Sequence, residues 1–186
     1  MQEEIILVNE YDEEVGTMEK METHRKALLH RAFSVFIFNS SNEMLLQQRA
    51  IGKYHSGGLW TNACCSHPRP GEQTNAAATR RLFEEMGFQT DLEEIFHFTY
   101  KQVFENGLTE YEFDHVFAGY YNGQVYPNRQ EAGDFCFMKM DDIKTALQAH
   151  PKKFSAWFHI AFPRIEKWLK ESGRIAMQGK LKIKTG

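Results

Sequence analysis

The densest group of reactive side chains in the sequence lies between Gly57 and Glu72 and in the segment directly after it. Two adjacent thiols, Cys64 and Cys65, and the imidazole of His67 fall in this loop, and arginines and carboxylates follow. Thiols and imidazoles transfer protons or bind metals, whereas arginines bind phosphate groups. We therefore predict that this region forms a catalytic centre that also binds a diphosphate, and that the rest of the chain supplies metal ligands and walls.

A helix is predicted from Gln73 to Met86, because three consecutive alanines favour it and Gly87 is a natural C-cap. Two pairs of opposite charge are spaced four residues apart in it: Arg80 with Glu84, and Arg81 with Glu85. Residues at this spacing share one face of a helix. The helix therefore presents a charged face beside the thiol loop.

Five other side chains are of types that bind divalent metals. Glu110 and Glu112 are two positions apart in a predicted strand, so both carboxylates project from one face. Three histidines, His24, His30 and His67, lie in loops or near strand ends. Together these groups would suit an octahedral Mn²⁺, Mg²⁺ or Zn²⁺ ion. The segments are far apart in sequence, so spacing alone leaves open that each histidine is an isolated surface or core residue.

The length and composition are typical of a globular protein with one domain. The chain has 186 residues, of which 42% are hydrophobic and 25% charged, and we expect one domain over residues 1–186. Fifteen Phe and seven Tyr predict an aromatic interior or pocket. The net charge of −3 argues against non-specific nucleic-acid binding, which needs a basic surface. An anionic ligand must therefore be held by a few placed cations or by a metal.

Localisation is predicted from the N-terminus and from the cysteines. No apolar run approaches the ~20 residues of a membrane span. Glu3 and Glu4 stand where a signal peptide would have basic residues. Three cysteines, two of them adjacent, are a poor basis for a disulfide framework, so we expect free thiols and a cytoplasmic protein. Cys136, in an apolar strand-like run, is expected to be a core residue.

The remaining elements predict an α/β (α+β) fold with a mixed sheet flanked by helices. Strands are expected at Ile5–Val8, Ala32–Phe38, Met44–Arg49, Ile95–Phe104, Leu108–Tyr121 and Phe135–Met140, with 32–49 forming a β-hairpin. Helices are expected at Asp141–Ala149 and at Phe158–Glu171, the latter interrupted near Pro163, with partial helix at Glu22–Leu28 after an acidic turn at Asn9–Gly16. The tail, from about residue 175 to 186, is expected to be flexible.

The charged helix resembles the Nudix box, a loop–helix–loop whose carboxylates hold Mg²⁺ against a diphosphate. Glu72 is followed after seven residues by Arg80, and Glu84, Glu85 and Gly87 complete the pattern. Two positions depart from it: Ser66 replaces the leading glycine, and Arg81 replaces the glutamate that normally follows the arginine. A Nudix hydrolase needs that glutamate for its metal and its water, so the departure argues against simple pyrophosphate hydrolysis.

A more specific resemblance is to type 1 isopentenyl-diphosphate delta-isomerases, and it covers about residues 3 to 170. It is carried by Trp60-Thr61-Asn62, Cys65-Ser66-His67-Pro68, Leu29-His30-Arg31-Ala32-Phe33-Ser34, the modified box and the pair Glu110-x-Glu112. The resemblance implies a Nudix-like mixed sheet sandwiched between helices. It also implies interconversion of isopentenyl and dimethylallyl diphosphate through a tertiary carbocation.

The resemblance further implies a role for individual residues. Cys65 and Glu112 match the catalytic pair, with Tyr100 assisting proton transfer. Metal ligands are implied at His24, His30, His67, Glu110 and Glu112, and Glu85 is implied to help place the Mg²⁺ that enters with the substrate. The implied substrate-binding residues are Lys20, Arg49, Lys53 and Arg81 at the diphosphate and Trp157 at the hydrocarbon.

Two alternatives remain at this level: a Nudix hydrolase of a nucleotide diphosphate, and a binding protein that has lost catalysis. The thiol beside the box and the Arg81 substitution weigh against the hydrolase, and retention of Cys65 and Glu112 weighs against the binding protein. We expect a small-molecule diphosphate substrate, no nucleic-acid or membrane partner, and a monomer or weak homodimer.

Overall fold

The fold is described from a computed structural model over residues 3–173. Its strands are β1 (Glu4–Val8), β2 (Glu14–Glu19), β3 (His30–Phe38), β4 (Glu43–Arg49), β5 (Trp60–Thr61), β6 (Cys64–Ser66), β7 (Leu92–Val103), β8 (Thr109–Tyr120) and β9 (Ala132–Lys139). Its α-helices are α1 (Lys20–Lys26), α2 (Thr74–Met86), α3 (Met140–Ala149) and α4 (Ala156–Glu171), and a short 3₁₀ turn covers Pro151–Lys153. Within these residues, no helix has the length and apolar character needed to cross a membrane.

Strand β3 lies at the centre of a mixed sheet. Along one edge it pairs in parallel with β8 from His30 opposite Glu112 to Phe38 opposite Tyr120. Along the other edge it pairs antiparallel with β1, β6 and β4 in turn. Outer strands extend the sheet: β2 pairs with β1, β7 with β8, and β5 and β9 with β4. The centre of the sheet thus joins segments that are distant in sequence.

Apolar side chains of β3 alternate between two helical layers, as the period of a strand requires. Phe36 and Phe38 pack under α4, in a cluster that includes Trp157. Val35 and Ile37 pack on the opposite face, in a cluster that includes apolar residues of α2. The predicted sheet between helices is confirmed, and α2 begins within one residue of its predicted start and ends at Gly87, whose φ of 78° suits glycine.

Several local predictions were wrong. The predicted hairpin over 32–49 exists only at its turn, because β3 and β4 pair only at Phe38 and Met44 before they diverge. Part of the predicted acidic turn belongs to strand β2, whose register is set by β1. Helix α4 continues through Pro163, since burial of its apolar face outweighs the missing donor. The predicted flexible tail lies outside the described residues.

Candidate active site

Residues predicted from distant parts of the sequence meet in one pocket. Its lining includes Lys20, Arg49, Lys53, Cys65, His67, Arg81, Tyr100, Glu110, Glu112 and Trp157, together with Ser34, Tyr54, His55 and Ser66. The parallel β3–β8 pairing accounts for part of this convergence, because it sets His30 beside Glu112. Acidic and imidazole groups, a thiol and four cations therefore share one cavity.

The histidines and carboxylates form two overlapping groups. One contains His24, His30, His67 and Glu112, and the other contains His24, His55 and Glu110; within each group the potential ligand atoms all lie within 4.8 Å of one another. His67 Nε2 is 3.1 Å from Glu112 Oε1. This buried cluster is compatible with a divalent metal ion, because imidazole nitrogen and carboxylate oxygen are the donors that such ions take.

Backbone contacts orient two of these imidazoles toward the cluster. His24 Nδ1 lies 2.7 Å from the Lys20 carbonyl oxygen, and His30 Nδ1 lies 2.8 Å from the Leu28 carbonyl oxygen. A carbonyl only accepts hydrogen bonds, so each Nδ1 carries the proton and each Nε2 keeps a free lone pair. Both Nε2 atoms are buried and without hydrogen-bond partners. Fixing the tautomer through the second ring nitrogen is the usual arrangement of a metal-binding histidine, so these residues fit a cation.

Burial keeps the imidazoles of His24, His55 and His67 uncharged at neutral pH by lowering their pKa values. It lowers the pKa of His24 to about 4 and the pKa of His67 to about 3. Burial also lowers the pKa of His55 to about 3, with the Arg49 guanidinium adding to the effect. Neutral imidazole is the form that binds a metal, so these three side chains can act as ligands at neutral pH without first losing a proton.

Tyr100 connects the two glutamates. Its hydroxyl lies 2.8 Å from Glu112 Oε2 and 3.0 Å from Glu110 Oε2. The hydroxyl has one proton, so it donates to one carboxylate at a time. Burial and the neighbouring Glu112 carboxylate raise the pKa of Glu110, whereas the pKa of Glu112 is lowered because the hydrogen bond with His67 Nε2 outweighs the effect of burial. Of the two glutamates, Glu110 therefore favours the protonated acid and Glu112 favours the anion.

The Cys65 thiol is held from two sides. It donates to Asn62 Oδ1 at 3.1 Å, and its sulfur is 3.5 Å from Ser34 Oγ. The Ser34 hydroxyl donates to Asp114 Oδ2 at 2.7 Å. Burial raises the pKa of the Cys65 thiol well above its usual range, and the Asp114 carboxyl adds to this effect. The resting group is thus a thiol, which can donate a proton.

The amide of Asn62 also fixes the aromatic wall. Its Oδ1 accepts from Trp157 Nε1 at 3.2 Å, while its Nδ2 donates to the carbonyl oxygens of Val35 and Cys64 at 3.1 and 2.8 Å. Because both amide ends are engaged, the orientation of the side chain is determined. The thiol and the indole are consequently positioned by one buried group.

The cations are paired with carboxylates or lie on an aromatic ring. Lys20 Nζ is 3.1 Å from a Glu3 oxygen. Lys53 and Arg81 both contact Glu131. The Arg49 guanidinium lies 5.2 Å from the centre of the Trp157 ring system.

Glu85 lies in neither His/Glu group. Its Oε1 accepts from Arg81 Nη2 at 2.7 Å, which confirms the pairing predicted along α2, and its Oε2 accepts from Gln47 Nε2 at 3.0 Å. The predicted pair of Arg80 with Glu84 also forms, at 3.2 Å. Glu85 is buried, and through Arg81 it adjoins the cationic part of the pocket.

Sequence reasoning missed several buried polar residues of this region. Asp114 continues the two-residue alternation of Glu110 and Glu112, so that spacing could have identified it. His55 and Asn62 lie in loop and short-strand segments without a period, and no local signal indicated their contacts. Glu131 was missed for the same reason.

A family comparison places the chain among NUDIX-domain proteins. The NUDIX domain family matches residues 28–158. Among solved structures, DR0079 from Deinococcus radiodurans superposes with a TM-score of 0.66 at 18% identity, over 80% of this chain and 90% of that one. The MutT protein from Methanosarcina mazei Go1 superposes with a TM-score of 0.62 at 20% identity, over 77% of this chain and 95% of that one. These two structures support the NUDIX fold and nothing more specific.

Curated relatives then narrow the class. The chain is 48% identical over 162 residues to isopentenyl-diphosphate Delta-isomerase of Pectobacterium atrosepticum, covering 87% of this chain and 90% of the relative. It is 45% identical over 165 residues to isopentenyl-diphosphate Delta-isomerase 2 of Aromatoleum aromaticum, covering 89% and 87%. The chain belongs to the isopentenyl-diphosphate Delta-isomerase family of NUDIX-domain proteins.

Proposed function

We propose that this protein interconverts isopentenyl diphosphate and dimethylallyl diphosphate. The observation that carries the proposal is the position of the Cys65 thiol in the same pocket as the Tyr100-linked pair Glu110 and Glu112, with a cluster of cations beside them. Family membership supports the same reaction. A double-bond shift needs two proton-transfer groups, an anion site and little water, and these residues can supply them.

The reaction proceeds by adding one proton and removing another. Protonation of the terminal alkene carbon of isopentenyl diphosphate breaks the π bond and leaves a tertiary carbocation at the adjacent carbon. Loss of a proton from the chain carbon on its other side forms the internal double bond of dimethylallyl diphosphate. Cys65 and Glu112 are the two proton-transfer groups, and Tyr100 passes a proton to or from Glu112.

The carbocation is stabilised by the indole of Trp157. An indole face attracts a cation by about 2 kcal/mol or more when both are desolvated. Trp157 is 2% exposed, and its N–H is bonded to Asn62, so the ring is held in one orientation. Aliphatic side chains could not provide this stabilisation.

The diphosphate is held by Lys20, Arg49, Lys53 and Arg81. Arginine and lysine suit phosphate oxygens, and four cations in a protein of net charge −3 indicate a dedicated anion site. Glu85, which now contacts Arg81 and Gln47, would help to hold the Mg²⁺ that accompanies the diphosphate, and that ion would neutralise part of the diphosphate charge. Arg81 stands where the Nudix box has a catalytic glutamate, which fits a site that binds the diphosphate without cleaving it.

The His/Glu cluster would hold Mn²⁺, Mg²⁺ or Zn²⁺ through His24, His30, His67, Glu110 and Glu112. A bound cation supplies charge that stabilises the Glu112 anion and fixes its orientation. The imidazoles meanwhile hold their free nitrogens inward, and Tyr100 positions both carboxylates.

We further propose that the chain acts as one domain in the cytoplasm, as a monomer or weak homodimer; its three free cysteines are consistent with a reducing compartment.

The test is incubation of the metal-loaded protein with Mg²⁺ and isopentenyl diphosphate in D₂O. We expect dimethylallyl diphosphate with deuterium in its methyl group, measured by NMR, and no release of phosphate or pyrophosphate. Phosphate release without allylic product would overturn the proposal and favour the hydrolase. A matched control is the Cys65→Ala variant, which should incorporate deuterium at least about 100-fold more slowly under the same conditions.

A further inference from the structure

One buried histidine beside the cluster has no role in the proposed mechanism. His55 lies in the loop between β4 and β5, and its side chain is 2% exposed. Its ring stacks on Phe104 with centroids 4.6 Å apart and 12° between the planes, and its Nδ1 is 3.2 Å from Ser56 Oγ. The other nitrogen, Nε2, is buried, makes no hydrogen bond and lies 2.9 Å from Glu110 Oε1.

We infer that His55 Nε2 is an additional ligand of the cation held by the His/Glu cluster. This inference rests on the metal site of the proposed function and extends it. It adds a fourth imidazole to the donor set, which becomes four nitrogens and two carboxylate oxygens.

The shared residue His24 shows why the two groups form one site. Its Nδ1 is bonded to the Lys20 carbonyl oxygen, so only Nε2 remains to bind a cation. The single lone pair of His24 Nε2 can coordinate only one ion at a time. The group of His24, His55 and Glu110 therefore cannot hold a second ion while His24 binds the first, so an ion bound by His55 would be the ion that His24 shares with His30, His67 and Glu112.

The short contacts are those expected of neighbouring ligands. Ligand atoms about 2.1 Å from one ion and at right angles to each other are about 3.0 Å apart. His55 Nε2 and Glu110 Oε1 are 2.9 Å apart, and His67 Nε2 and Glu112 Oε1 are 3.1 Å apart. The first of these contacts is not a hydrogen bond, although the distance would permit one. A close approach of an imidazole nitrogen and a carboxylate oxygen without a hydrogen bond between them is what two ligands of one cation would show.

A fourth imidazole has a chemical consequence. Nitrogen ligands suit Mn²⁺, Zn²⁺ and similar ions, whereas Mg²⁺ prefers an all-oxygen shell. Six protein donors also leave no position open for water, in contrast to the open position of a hydrolytic metal site. The site is thus built to retain a transition-metal ion and to fix its carboxylates.

The test compares the wild type with His55→Gln and His55→Ala, and with His150→Gln as a control at an exposed histidine. Zn²⁺ affinity is measured by chelator competition, and the number of imidazoles on bound Zn²⁺ is counted by X-ray absorption. We expect both His55 variants to lose about tenfold or more in affinity and the count to fall from four to three, with no change in the control. Unchanged affinity, or a count that is the same in wild type and variants, would overturn the inference and leave His55 as a partner of Glu110 outside the coordination sphere.

Two further measurements keep the result interpretable. Melting of each metal-free protein in excess chelator checks that the variants fold, and His55→Gln carries the test if His55→Ala does not. Isomerisation by the wild type is assayed separately. If the wild type isomerises its substrate and the variants bind Zn²⁺ as tightly as the wild type does, only the ligand role of His55 is refuted. If the wild type does not isomerise and the variants lose Zn²⁺ affinity as expected, only the proposed function is refuted.

Discussion

Cys64 and Cys65 are neighbours in the chain but face opposite sides of the sheet. Cys64 is fully buried in the cluster beneath α2, where it pairs with Val35 across β3 and β6. Cys65 pairs with Ser34 and points to the pocket under α4. Because successive side chains of a strand point to opposite faces of the sheet, the Cys64 thiol lies in the core and the Cys65 thiol lies at the candidate active site.

The two cysteines should therefore respond very differently to substitution. We expect Cys65→Ala to lower kcat for isomerisation by about 10²- to 10⁴-fold, the usual contribution of a general acid or base. Cys64→Ala should keep most of the activity and lower the free energy of unfolding by about 1 kcal/mol through a small core cavity. Steady-state kinetics and denaturant unfolding of both variants check this, and equal loss of activity would mean that the wrong thiol has been assigned.

Arg81→Lys should weaken binding of the diphosphate while affecting catalysis less. Lysine keeps the charge but cannot make the several directed hydrogen bonds of the guanidinium, which now contacts Glu84, Glu85 and Glu131. We expect KM, and the inhibition constant of inorganic pyrophosphate, to rise about 10- to 100-fold, with a smaller change in kcat. Arg129→Lys, at an exposed position, is the matched control. A fall in kcat at unchanged KM would contradict a binding role.

Substitutions of Trp157 should separate its ring from its N–H group. Trp157→Leu removes the π face, and we expect kcat to fall about 30-fold, equivalent to about 2 kcal/mol. Trp157→Phe keeps an aromatic face and loses only the bond to Asn62, so its kcat should fall less. If the leucine and phenylalanine variants lose the same activity, the indole acts through the Asn62 bond and not through its ring.

Acid should destabilise the metal-free protein through His24. The pKa of this imidazole is about 4 in the folded protein, and about 6.5 is expected in the unfolded chain. Between these values the unfolded chain binds a proton that the folded protein does not, so stability falls as the pH falls. Relative to His24→Gln, the wild type should lose about 1.4 kcal/mol per pH unit between about pH 6 and pH 4.5. Denaturant unfolding in excess chelator measures this difference, and parallel curves for the two proteins would contradict it.

Local patterns predicted much of the framework. The box helix was placed within one residue because its alanines and Gly87 act locally. The shared face of Glu110 and Glu112 followed from the strand period, and both carboxylates meet Tyr100. The hairpin over 32–49 failed because β3 exchanges β4 for β6 and β8, a choice made by non-local pairing that no turn signal encodes.

The sequence by itself determined the order of most strands and helices, the charged face of α2 and the types of the reactive residues. These properties depend on neighbours a few positions away, and a resemblance carried by short motifs added the expected chemistry. Only the tertiary structure decided which imidazole nitrogens remain free and that His55 lies 2.9 Å from Glu110. Those facts depend on the parallel pairing of β3 with β8 and on loops packed against it, contacts between residues tens of positions apart.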